Sequence, residues 1–131
     1  RLAKQYAFAK QEMGLPVLIH SCGDVKSIFE DIIEIGVEVF NPFQPEVMDI
    51  FEMKRVYGDR MSFYGGISTQ KTLPYGTPAE VRRDVEKAIE VVGENGGYIC
   101  APAHATPSDV PVENVLAMLD VLRSQKGFAS G

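Results

Sequence analysis

The sequence predicts an α/β protein: one domain over residues 1–131, built as about four βα units on a parallel sheet. Three observations carry this. Short apolar runs alternate with amphipathic stretches of helical period, glycine-bearing turns lead into each apolar run, and polar residues gather where the runs end. The length of 131 residues and a composition of 45% hydrophobic and 24% charged suit a single globular core.

The elements follow in order. "RLAKQYAFAKQEM" sets Leu2, Tyr6, Ala9 and Met13 near one helical face, and Gly14 closes that helix before the strand "LPVLIH". Asp24 can cap a second helix, whose Ile28, Ile32 and Ile35 form an apolar stripe ending at Gly36. The strand "VEVF" leads to the two-proline loop "NPFQP". A third helix runs through Val47, Ile50, Lys54 and Val56 to Gly58, and "MSFYGG" is the next strand. The loop "GGISTQKTLPYG" ends at Thr77, which with Pro78 and Glu80 forms a capping box with proline in the first helical position. Val81, Val85, Ile89 and Val92 line that helix; "GYICA" is a fourth strand and "PVENVLAMLDVL" a last helix.

A net charge of −5 with scattered Lys and Arg offers no basic stripe for nucleic acid, and no run approaches the roughly 18 apolar residues of a membrane span. Two cysteines do not make a disulfide scaffold, so a reducing, cytoplasmic setting is expected. The chain opens without methionine, already inside a helical pattern. It reads as a fragment of a longer protein.

Alternating strands and helices of this kind fit either an open doubly wound sheet or part of a (β/α)8 barrel. Both place function at the carboxyl ends of the strands, which here read "IHSCGD", "FNPFQP", "YGGISTQ" and "CAPAH". In an extended strand, residues two apart share a side, so His20 and Cys22 can face one point, with Cys100 at the end of another strand. One imidazole and two thiolates would leave an open position on Zn²⁺. The alternative is a buried thiol beside a hydrogen-bonded histidine, and spacing leaves both readings open. Asn41 and Gln44 are either ligand-bonding groups or ordinary turn residues, and Gly65 and Gly66 admit either a flat cofactor or a tight turn.

From Leu15 to Leu122 the chain resembles the C-terminal half of the uroporphyrinogen decarboxylase superfamily. The "NPFQP" loop, the "GGISTQKTLPYGTP" loop and the "PAHATPSDVPVEN" segment occur in that superfamily's order. The glycine-pair loop is most similar to the branch of cobalamin-dependent methyltransferases. That resemblance implies half of a (β/α)8 barrel, a Zn²⁺ site formed by His20, Cys22 and Cys100, and Asp24 either near that site or capping a helix. It implies a methyl group passing from a corrinoid, methylcobalamin held by a separate corrinoid protein, to a small thiol. Asn41, Gln44, Gly65, Gly66 and Gln70 are then expected at the cofactor, and His104 at a tetrapyrrole propionate, outside the metal shell. A cofactor-free uroporphyrinogen decarboxylase of porphyrin biosynthesis, or a non-catalytic tetrapyrrole-binding module, is the alternative. A barrel of this class takes about 250 residues. The isolated chain is therefore expected to be inactive and, with two open sheet edges, to self-associate.

Overall fold

The computed structural model describes residues 2–125, with the side chain of Leu2 outside the description. Four parallel strands, β1 (Leu18–His20), β2 (Val39–Phe43), β3 (Ser62–Ile67) and β4 (Tyr98–Pro102), pair in the order β1-β2-β3-β4. Among the described residues six α-helices accompany them: α1 (Leu2–Met13), α2 (Phe29–Glu34), α3 (Ile50–Tyr57), α4 (Thr72–Tyr75), α5 (Pro78–Val92) and α6 (Val112–Ser124). Among the described residues, no helix is long and apolar enough to cross a membrane.

The strand order decides between the two architectures left open by the sequence. A doubly wound sheet reverses its order at a switch point, whereas this one advances by one strand at each crossover. Facing follows from register. Ile19 lies beside Phe40, Phe40 beside Phe63, and Phe63 beside Tyr98, and all four pack into the cores beneath the helices. Leu18 and Ile99, of opposite parity, are 49% and 52% exposed on the other face. Helices on one face and an open second face make this a section of a (β/α)8 barrel.

Two apolar clusters fill the helix side. The first centres on Phe29, Phe40, Phe43 and Phe63, with the Phe43 and Phe63 rings stacked at 4.2 Å. The second joins Ile67 and Leu73 to the inner faces of α5 and α6. Helix faces depart from expectation in three places. Phe29 is fully buried in α2 while Ile28 is 48% exposed; Met53 is buried in α3 while Val56 points outward; Met13 of α1 is 58% exposed. In each case the residue nearest the sheet is the one its neighbours can cover on all sides, which a stripe drawn on one isolated helix does not reveal.

Asp24 does not cap a helix. Its Oδ1 accepts the Lys26 N–H at 3.0 Å in a turn that opens a 3₁₀ segment, Lys26–Ile28, and α2 starts without a side-chain cap. Asp49 does cap α3, accepting from the N–H groups of Phe51 and Glu52. The capping box at α5 is complete: Thr77 Oγ1 accepts from Glu80 N–H, and Glu80 Oε2 accepts from Thr77 N–H at 2.7 Å.

Thr77→Ala is expected to destabilise the chain by about 1 kcal/mol, read as a lower urea midpoint at unchanged slope. The Thr77 backbone N–H and then its hydroxyl hold the Glu80 carboxyl below its ordinary range. The Glu80 contribution is complete above the ordinary glutamate range and is lost as pH falls through the lowered value. Because the backbone N–H survives in the variant and only the hydroxyl is lost, the gap between wild type and variant should narrow in acid without closing. The open edges of β1 and β4, together with exposed Leu18 and Ile99, predict self-association of the 131-residue chain at micromolar concentration. Sedimentation as a compact monomer would contradict it.

Candidate metal centre

The ends of β1, β2 and β4 meet on one rim. Parallel pairing sets His20 opposite Asn41, and past β4 the Ala103 N–H bonds the Ile67 carbonyl, which delivers His104 to the same rim. His20, Cys22 and His104 form a cluster in which one donor atom from each lies within 4.8 Å of the others. His20 Nε2 is 3.2 Å from Cys22 Sγ, and the two imidazoles sit edge to face at 5.9 Å between centroids.

His20 and Cys22 thus come together as their spacing predicts, and their third companion is His104, not Cys100. The reason is strand parity. Cys100 follows Tyr98 by two residues in β4, so both point to the helix side, where Cys100 packs against the α5/α6 cluster. Burial pushes the Cys100 thiol above its ordinary range, partly offset by the neighbouring Tyr98 hydroxyl. Burial likewise pushes the Tyr98 phenol up, and its hydroxyl donates to the Gly65 carbonyl at 2.9 Å. His104, expected apart from His20 and Cys22, lies in one cluster with them.

Asn41 and Gln44 serve the histidines. Asn41 Oδ1 bonds His20 Nδ1, and Gln44 Oε1 bonds His104 Nε2 at 3.2 Å. The glycine pair answers to backbone geometry: Gly65 and Gly66 have φ of +128° and +92°, and a Cβ on Gly66 would stand 2.3 Å from the Tyr98 hydroxyl. Gln70 is exposed, and its N–H bonds Glu46 Oε1.

Glu46 is a residue the sequence reading passed over. Its Oε1 accepts from the Ser68 hydroxyl and the Gln70 N–H, tying the loop after β2 to the loop after β3, while Oε2 is buried with no partner among the described residues. Its Gln-Pro-Glu setting resembles a plain turn, and only the fold brings Ser68 to it. Beside the centre, Asp24, Glu46, Ser68, Lys71, Asp84 and Lys87 line a cleft that none of the three clustered residues enters.

Two imidazoles and a thiol form a donor set suited to a borderline-soft divalent ion such as Zn²⁺, and one ring nitrogen of each histidine already faces a side-chain amide oxygen. Parallel strands in sequence order, with polar side chains gathered at their carboxyl ends, define a barrel of the (β/α)8 class. The uroporphyrinogen decarboxylase (URO-D) family model matches residues 1–125, and the chain belongs to that family.

A methylcobamide:CoM methyltransferase of Methanosarcina barkeri is 29% identical over 102 residues, spanning 78% of this chain and 29% of that protein. A methylated-thiol–coenzyme M methyltransferase of Methanosarcina mazei is 25% identical over 97 residues, spanning 74% of this chain and 26% of that protein. The solved structure of a methyltransferase from Methanosarcina mazei shares the fold, with a TM-score of 0.70 and 23% identity over 92% of this chain and 33% of that one. The chain therefore spans less than a third of the length of these two relatives.

The two thiols differ in access: Cys22 is exposed and Cys100 partly buried with its thiol pushed up. Mass-mapped alkylation of metal-free protein at mildly alkaline pH should modify Cys22 first. Cys100 should follow only as pH rises or the chain unfolds, because the thiolate is the reacting form. Equal labelling of both thiols would place Cys100 on the open rim.

Proposed function

We propose that this chain carries the metal-binding rim of a methyltransferase in the uroporphyrinogen decarboxylase family, with His20, Cys22 and His104 holding Zn²⁺. The methyl donor is a corrinoid, methylcobalamin on a corrinoid protein, and the acceptor a small thiol. The observation that carries the reading is the convergence of His20, Cys22 and His104 donor atoms within 4.8 Å on the carboxyl rim. The relatives named for methyl transfer to coenzyme M supply the reaction class.

A zinc ion with an open position supplies Lewis acidity, which favours the thiolate form of a thiol bound there. This chain's part is to set the charge around it. His20 and His104 are neutral donors and Cys22 brings one negative charge, leaving a divalent ion one net positive charge where a second thiolate would leave none. An anionic acceptor therefore completes neutrality. Exposure of His20 and Cys22 leaves an approach from the open face.

The chain dialysed against buffered zinc should retain about one equivalent by elemental analysis. Cys22→Ala and His104→Ala should each lose most of it, while Cys100→Ala should keep it. Retention should fall as pH drops, since protons compete for the imidazoles and the thiolate. Loss with Cys100→Ala and retention with His104→Ala would return the third position to Cys100. Absence of zinc from the wild-type chain and from the full-length protein would favour the cofactor-free decarboxylase.

A further inference from the structure

We infer that Asn41 and Gln44 lock the two histidines of the rim in opposite tautomers, so that His20 offers Nε2 and His104 offers Nδ1 to one shared point. The use made of those lone pairs rests on the metal reading above, whereas the tautomers follow from the hydrogen bonds alone.

Asn41 sits opposite His20 in the β1–β2 register. Its Nδ2 donates to the Tyr64 carbonyl at 3.0 Å, a bond that fixes which end of the amide faces that strand. Oδ1 is consequently the end turned to His20 Nδ1, and an amide oxygen can only accept. The proton of a neutral His20 must then be on Nδ1, and the lone pair on Nε2, the nitrogen 3.2 Å from Cys22 Sγ. An isolated neutral imidazole favours the proton on Nε2. Asn41 reverses that preference.

Gln44 does the opposite for His104. It is 5% exposed, and its own backbone carbonyl accepts from the N–H groups of Val47 and Met48, which holds the turn that carries it. Gln44 Oε1 accepts from His104 Nε2, which leaves Nδ1 as the free donor. Residues 41 and 44 belong to one short segment at the end of β2. That segment orients both rings, although the rings come from β1 and from the loop after β4.

The test needs no activity. The chain holds two histidines, so long-range ¹H–¹⁵N correlation of ring-labelled, untagged, metal-free protein at alkaline pH gives two resolvable patterns. The expected result is one Nδ1–H ring and one Nε2–H ring, assigned through His104→Ala. Asn41→Leu should convert His20 to the Nε2–H form, and Asn41→Asp, which keeps an acceptor, should not. Gln44→Leu should free His104 while leaving the His20 pattern unchanged. Zinc affinity should drop by about 10–100-fold in Asn41→Leu and in Gln44→Leu. Two Nε2–H rings in the wild-type protein would overturn the inference even if zinc binds. Opposite tautomers in a chain that takes up no zinc would uphold the inference and sink the metal reading instead.

Discussion

The rim depends on one irregularity in β2. Strict alternation would turn residues 40 and 42 to one face and 41 and 43 to the other, but the pairing with β3 shifts between Phe40 and Phe43 and both rings enter the core. Each fully buried Phe contributes about 1.5–3 kcal/mol, against about 1 kcal/mol for a ladder bond forgone at the shift, so the aromatic core decides the backbone. The consequence is positional. Asn41 stays in register with His20, and Gln44, directly after Phe43, is brought to His104. Hydrophobic packing on one side of the sheet thereby sets polar geometry on the other.

Loops after parallel strands are held by what they bond to one another. Glu46 joins the loop after β2 to the loop after β3 through Ser68 and Gln70, and Ser68 Oγ also accepts the Lys71 and Thr72 N–H groups at the start of α4. Asn114 of α6 continues the chain of contacts, its buried Nδ2 donating to the carbonyls of Leu73 and Gly76 on either side of the α4 end. A site on loops is only as exact as such supports. Here they run from the rim down into the helices.

Much of this was legible beforehand and some was not, for physical reasons. The α5 start is written in adjacent residues, because a capping box is a local device of Thr77, Pro78 and Glu80. The strand ends were readable as a rim because βα repetition is a periodic signal. Parity in β4 was not: "YICAP" is apolar or nearly so at every position, so nothing in it distinguishes the face of Ile99 from that of Cys100. The place of His104 depends on how a loop leaves β4, and that of Phe29 on which neighbours cover it. Both are set by tertiary contacts. The preference for Cys100 came from resemblance, and the structure puts His104 in its place within the cluster.

Tyr98 belongs to both apolar clusters at once: its ring packs against the one built on the phenylalanines and against the one between α5 and α6, with its hydroxyl anchored on Gly65. Without such a shared member the two cores would be separate foldons, each opening at its own free energy. With it, withdrawing α5 and α6 uncovers Tyr98 and takes Val92 out of the phenylalanine core in the same event. Cooperativity between the two cores therefore runs through Tyr98 and through Val92, which α5 contributes to the phenylalanine cluster, and Tyr98 stands at the base of the same strand whose far end carries the chain to His104.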